Sequence, residues 1–385
     1  MGPKLEQKCH RQPRIIRAPK VVKYGSDFTG LNAGAIALAR MNIPFQKVFS
    51  SDSAPECRKV LECQKNPGKI YEDVLTRPPA DEEYVDLYTW TPPCQSYSPA
   101  GKMQGIKVKN GKLLAAGLKY VKAKRPRVAI LENVKGLTFK RFQPVLKGVI
   151  KSLNDCQYEV HQNTMNSRDF ATPQERKRLI LVAIRQDSVR HKFTWPTPSE
   201  RNVTLDMVVK PQRGDKPCRL PTSQRGKDRA TAACAAAFKN HVDPRTTPIC
   251  VDIDCGLKYS TWGINVARTL TRTRGGQGGP WVSTLGRRVN IQEMAALQAF
   301  QESDLPLNDK CISRVKMGHM LGNSVPVTLI GYVLASAMYA GGLVAHMPDT
   351  SLLNKIRPST PSPGRLAKAS SNTLSLGGPS HAIFL

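Results

Sequence analysis

Residues 21–52 read VVKYGSDFTGLNAGAIALARMNIPFQKVFSSD, and their order decides the fold. The β-branched and aromatic run VVKYGSDF stops at a turn holding Gly30 and Gly34. An Ala-rich stretch of helical composition follows, and FQKVFSSD is a second strand ending on Asp52. Strand, glycine turn, helix and strand make one βαβ unit, which calls for a parallel sheet. Asp52 comes 22 residues after Gly30. In a doubly wound sheet this layout suits an adenosine ligand: small residues let the backbone approach it, and an acid ending the second strand takes the ribose hydroxyls.

The spacing departs from the GxGxxG of a dinucleotide site, which favours S-adenosylmethionine, a ligand with no pyrophosphate to cradle. Beyond Asp52 the alternation continues through APECRKVLECQ, YVDLYTW (84–90), LLAAGLKYVKAK, RVAILE (127–132), RFQPVLKGVIKSL and RLILVAI (178–184). The apolar runs of RVAILE and RLILVAI read as central parallel strands buried on both faces. After Arg185 the texture changes, and residues 196–228 are rich in Pro, Gly, Arg and Asp without sustained periodicity. The stretch 201–275 carries 14 Lys and Arg against 6 Asp. Within 268–280, RTLTRTRGGQGGP reads as a flexible basic loop able to approach a phosphate backbone, or as a solvated surface loop.

Helical patterning resumes at NIQEMAALQAF. Residues 317–348 lack Asp, Glu, Lys and Arg, but Asn323, Pro326, Gly341 and Gly342 break the run. A buried helix of about 13 residues over Val327–Ala340 is therefore expected rather than a bilayer span, which needs about 20. Residues 1–20 and 348–385 are basic, the latter Ser- and Pro-rich, with too little apolar surface to offset ordering entropy.

The 385 residues hold 58 Lys and Arg against 29 Asp and Glu, a net charge of +29. Such an excess calls for a polyanion, nucleic acid before an acidic membrane surface. With 40% apolar and 23% charged residues, wholesale disorder and collagen-like repeats are excluded. The ten Cys form no CxxC pair, so a reducing compartment and no metal are expected. The opening MGPKLEQKCHRQPRIIRAPK lacks the apolar core of a secretory signal.

Candidate chemistry sits at strand ends. Asp73, in YEDV, is placed to accept from an adenine amino group or to cap a turn. Cys94, in YTWTPPCQSYSPAGKMQG, follows a strand at the ligand-binding edge with Lys102 nearby, and reads as a stabilised thiolate against the commoner structural thiol. Glu132 and Asn133 end an apolar strand, where a carboxyl either caps the next turn or is a general acid raised by desolvation. In ATPQERKRLILVAI, strand alternation points Gln174, Arg176 and Arg178 the same way, either toward a site or into structural salt bridges.

In order, FTGLNAG, PPCQSYSPAG, ENV, QERKR, RRVNIQEMAALQ and GNSVPV resemble the successive signature motifs of the cytosine carbon-5 DNA methyltransferase family, co-linear from about Val21 to Ala340. The resemblance implies an α/β fold: a Rossmann-like class I methyltransferase sheet with a smaller irregular target-recognition domain. The catalytic domain would occupy 21–190 and 286–347, the second part closing the donor site, with the recognition region at 191–285.

It also implies S-adenosylmethionine as methyl donor and no metal. Duplex DNA would be the partner, with RNA as the alternative and no membrane. By resemblance Cys94 adds to carbon 6 of cytosine, which makes carbon 5 enamine-like. Glu132 meets ring nitrogen 3 and the exocyclic amine, and Asn133 braces the loop bearing Cys94. Arg176 and Arg178, alongside Gln174, contact the base carbonyl, the phosphate and that loop. Phe28, Gly30, Asp52, Asp73, Pro93, Asn323 and Ser324 would hold the donor. The base must be flipped out of the duplex to be reached, and the loop 96–112 would close over it.

Many relatives read FxGxGG where Asn32 and Ala33 stand here, and Trp90 and Thr91 are also less usual. The expectation is an active DNA (cytosine-5-)-methyltransferase, nuclear if the source is eukaryotic and otherwise of cytoplasm or nucleoid. A tRNA-modifying cousin and a non-catalytic nucleic-acid-binding relative are the alternatives. The family's tRNA-modifying members carry a CFT tripeptide, absent from 191–285 here.

Overall fold

The computed structural model describes residues 18–77, 83–93, 109–256, 262–308 and 311–354, the side chains of 109 and 110 excepted. The opening stretch forms β1 (Val22–Asp27), α1 (Ala33–Arg40) and β2 (Phe45–Ser51). It is followed by α2 (Pro55–Glu62), β3 (Lys69–Tyr71), β4 (Leu87–Trp90), α3 (Lys109–Lys124), β5 (Val128–Val134), α4 (Gln143–Asp155) and β6 (Tyr158–Asn166). The two-residue β7 (Gln174–Glu175) leads into β8 (Lys177–Arg185).

Seven of these strands make one sheet in the order β3-β2-β1-β4-β5-β8-β6. Along β5, Val128 and Ile130 enter one core with α1, while Ala129 and Leu131 enter the other with α3 and α4. That period of two covers both faces of the sheet with helices, as a parallel sheet requires.

One strand departs from the parallel expectation. β8 is buried on both faces, yet it runs antiparallel to β5 and to β6. An all-apolar run carries no direction of its own. Direction is set by the connection from β6, too short for a crossover helix and long enough for an antiparallel return.

The region after β8 is also less irregular than its composition indicates. It holds α5 (Leu205–Val208), α6 (Gln224–Lys239), β9 (Ile249–Val251), β10 (Trp262–Ile264), β11 (Ala267–Arg268), α7 (Arg272–Gly276), β12 (Trp281–Val282) and β13 (Arg287–Arg288). A second sheet runs β10-β9-β12-β13, and β11 pairs with β7. Ala230, Ala233 and Ala237 of α6 pack on Ile249, Val251 and Trp281. Ala is the strongest helix former, and the ATAACAAAF run within α6 carries that signal. Phe193, Val203, Leu205 and Val209, and later Cys250, Ala267, Leu270, Val282 and Leu285, belong to the larger core.

The chain closes with α8 (Ile291–Ala296), α9 (Arg314–Asn323) and α10 (Val327–Ala340). The apolar stretch from Arg314 to Ala340 is long enough by composition to cross a membrane, but 89% of its apolar window is buried inside the fold. Pro326 caps α10, which lies against α1 in the larger core. Residues 348–354 are not a loose tail: Leu353 is buried in that core, and Asn354 Nδ2 donates to Tyr332 Oη at 2.9 Å.

Candidate active site

The chain turns sharply after β1. Phe28, Gly30 and Asn32 all adopt left-handed φ, of 55°, 54° and 60°. The turn brings Gly30 N–H to Asp52 Oδ2 at 2.8 Å, and Ala54 N–H donates to Oδ1 at 2.9 Å. A Cβ added at Gly30 would meet nothing within 4 Å, so the turn opens onto free space beside a fixed carboxylate. Burial raises the Asp52 pKa despite those two donors. Phe28 is partly buried against the second core, and its carbonyl accepts from Thr91 Oγ1 at 2.8 Å. Thr91, unusual by sequence, thus ties the strand leading to Pro93 to the donor turn.

Asp73 lies just past β3, whose Tyr71 carbonyl accepts from Asp52 N–H at 3.1 Å; Asp73 Oδ1 accepts from Leu75 N–H at 2.8 Å. Asn323 ends α9, exposed, and Ser324 is its C-cap. Lys316 Nζ, 2.6 Å from Glu56 Oε1, ties α9 to α2, the helix that follows Asp52.

Three strand widths away, Glu132 is buried at the end of β5, and Arg178 Nε donates to its Oε1 at 2.9 Å. Burial raises the Glu132 pKa; Arg178 and then Arg176 act the other way. Asn133 Nδ2 donates to the Pro92 carbonyl at 3.1 Å, two residues before Cys94. Cys94 itself, and the part of the expected closing loop before residue 109, lie outside the described residues.

Arg176 is 1% exposed. Its guanidinium donates to the carbonyls of Leu270 at 2.6 Å, Gly322 at 3.0 Å and Ser324 at 2.7 Å. Gln174 is fully buried: its Nε2 donates to Leu297 O at 2.7 Å, and its Oε1 accepts from Leu270 N–H at 2.8 Å. The structure thus brings Arg178 to Glu132 but commits Gln174 to backbone. Both ends of the Gln174 amide are thereby occupied, and β7 belongs to the pairing with β11, not to the strand carrying Arg178.

Sequence reading passed over a cluster directly beneath the donor turn. Asp27, immediately before Phe28, is fully buried and pairs with Arg77 at 2.8 Å. Ser51 Oγ donates to its Oδ1 at 2.7 Å and Tyr88 Oη to its Oδ2 at 2.5 Å. The Arg77 guanidinium also lies over the Phe49 ring at 4.6 Å and the Tyr71 ring at 5.1 Å. An acid closing an apolar strand, one residue before the glycine turn, was the available signal. Trp90 gains a reason as well: it stacks on Tyr88 at 5.5 Å, and Gly117 of α3 leaves room for its ring.

The family model for C-5 cytosine-specific DNA methylase matches residues 26–338. The chain belongs to this family. Among curated relatives, the type II methyltransferase M.HhaI of Haemophilus parahaemolyticus is 27% identical over 320 residues, 80% of this chain and 91% of that one. The type II methyltransferase M.MthTI of Methanothermobacter thermautotrophicus is 33% identical over 204 residues, 52% of this chain and 59% of that protein's length. The solved Dnmt2 methyltransferase of S. pombe covers 83% of this chain and 98% of its own at a TM-score of 0.58; at 16% identity that likeness shows the fold alone. The C-5 cytosine DNA methylase family uses S-adenosylmethionine as methyl donor and acts on DNA.

For a member of this family the donor fit is testable on the turn itself. Open space at Gly30 beside the anchored Asp52 carboxylate suits a nucleoside with its ribose hydroxyls toward the acid. The basic stretch 268–280 differs from the free loop expected of it. Gly275 of α7 lies against the Gly318 backbone of α9, a contact that only glycines permit. Arg274 Nε bonds Asp252 at 2.7 Å, and Arg268 pairs with Glu175. Gly275 and Gly276 serve packing on α9, Gly278 and Gly279 form a left-handed turn, and those two arginines are already neutralised.

Proposed function

We propose that this protein is an active DNA (cytosine-5-)-methyltransferase that works on a cytosine flipped out of duplex DNA, through a covalent Cys94 adduct at carbon 6. The observation that carries the reading is the pairing of buried Glu132 with Arg178, beside an Asn133 that holds Pro92 two residues from Cys94.

Phe28, Gly30, Asp52, Asp73, Pro93, Asn323 and Ser324 would hold S-adenosylmethionine, which supplies the methyl group. The Cys94 thiolate attacks carbon 6, and the ring's electrons move toward nitrogen 3. Glu132, kept protonated to higher pH by burial, gives nitrogen 3 its proton and accepts from the exocyclic amine. Arg178 fixes the carboxyl in place and presents its remaining N–H groups to the base carbonyl. Asn133 holds the carbonyl of Pro92, two residues before Cys94 in the chain.

The test is transfer of a labelled methyl group from S-adenosylmethionine to duplex DNA and to tRNA in parallel, with Cys94→Ala as control. Label in DNA that disappears in the variant while duplex binding persists is expected. Residual turnover within tenfold of wild type removes Cys94 from the mechanism, and label in tRNA alone changes the substrate.

A further inference from the structure

A cavity of about 950 Å³ opens between α1, α2, the first half of β2 and the loop 303–306. No residue assigned above to the donor or to the base lines it. Its walls at Phe45, Gln46 and Lys47 belong to the start of β2, whereas the donor residues follow the strands' carboxyl ends. Ile36, Phe45, Val60 and Leu305 give it an apolar face. The volume falls within the range of about 300–1,000 Å³ common for small-molecule sites.

Three charged side chains line it, Lys47, Asp304 and the exposed Lys65, and the first two differ in their commitments. Asp304 is paired with Arg40 and accepts from Gln301 N–H at 2.6 Å. Lys47 is half-buried, and among the described residues its ammonium has one polar neighbour, Gln64 Oε1, at 3.4 Å. Burial lowers its pKa to about 8. An ammonium losing water without gaining a carboxylate is a place for a ligand's anion.

Gln64 connects this cavity to the donor turn. Its Nε2 donates to the Leu31 carbonyl at 3.2 Å, and its Oε1 also accepts from Asn32 Nδ2 at 3.1 Å. Leu31 and Asn32 directly follow Gly30, which binds Asp52.

We propose that the cavity is a second ligand site, for a small amphiphilic anion, and that its occupant acts on the donor turn through Gln64. The apolar body lies along Ile36, Phe45 and Val60, and the head group meets Lys47. Drawn to the head group, Lys47 gives up its share of Gln64 Oε1, which then accepts from Asn32 alone and steadies the turn. Occupancy therefore tightens donor binding, and by reciprocity the donor tightens the occupant. This second half rests on the donor reading given above; the first half does not.

Decanoate is the probe, titrated by calorimetry into the full chain. Saturable one-to-one binding is expected, at least tenfold weaker in Lys47→Met, which removes the charge, and in Ala39→Trp, which fills the mouth from an exposed position on α1. Absence of saturable binding, or equal binding in both variants, overturns the site. The affinity for S-adenosylhomocysteine is then measured with and without saturating decanoate. A gain of about fivefold, the low end for coupled sites, is expected. No change overturns the coupling. Failure of S-adenosylhomocysteine to bind at all overturns the donor reading and the coupling with it, and the decanoate titrations alone then judge the site.

Discussion

The two sheets use the same chemical pair, arginine with a carboxylate, to opposite ends. In the seven-stranded sheet, Asp27 with Arg77 and Glu132 with Arg178 sit at or beside the ends of long central strands, enclosed by apolar cores on both faces. In the four-stranded sheet, strands of two or three residues are held by Arg274 with Asp252, Arg288 with Asp254 and Arg287 with Asp215 and Glu293, largely at partly exposed positions. Charge in a low dielectric interacts strongly but is costly to leave alone, so enclosed pairs fix each other in place and do not add net stability. Screened pairs at the surface are individually weak, and several of them together staple strands too short to hold themselves.

Four substitutions break or sharpen that contrast. Glu132→Gln keeps the shape and removes the transferable proton, so methyl transfer is expected to fall about 10²–10⁴-fold in single-turnover assays. The pH dependence follows from the same group. Its folded-state pKa lies above the ordinary glutamate value, so the folded protein holds the proton more tightly than the unfolded chain. Stability therefore rises as pH falls through the interval from the raised value down to the ordinary one, and is lost as pH climbs back. Methyl transfer loses its acid over the same rise. Denaturation midpoints followed against pH should show a steeper slope in wild type than in Glu132→Gln, which keeps only the contribution of Asp52, raised by burial in the same sense.

Arg77→Leu leaves Asp27 charged and enclosed and should cost about 3–5 kcal/mol by urea unfolding. Adding Asp27→Leu should recover most of the loss; a single variant as stable as wild type would show that the pair is not truly enclosed. Asp254→Asn, at the other sheet, should cost about 0–1 kcal/mol, and the cost should shrink further at high salt. An effect as large as that of Arg77→Leu would erase the distinction between the two sheets.

Much of the site was legible because its residues end strands. Gly30 with Asp52, and Glu132 with Asn133, are local in sequence terms: a strand, its turn and the residue that follows. What escaped reading depends on partners far along the chain. Asp27 meets Arg77 fifty residues later, and Gln174 meets Leu270 and Leu297. Gln174, Arg176 and Arg178 share alternation on paper, but the chain changes sheet between β7 and β8, so only Arg178 bonds Glu132. The glycines of 268–280 read as loop because a glycine serving a close helix contact and one serving a flexible turn are the same letter.

By itself the sequence determined the βαβ order, the apolar strands, the break at Pro326 and the co-linear motifs that carry the family. Each of these depends on neighbours within a few residues, where propensity and period act. Only the tertiary structure decided that β8 runs backwards, that Arg176 clasps the backbone of Ser324, that Arg77 neutralises Asp27 and that a cavity stands behind the donor turn. Those features arise from contacts between distant segments, whose cost and reward in a low dielectric appear only once the chain has closed around them.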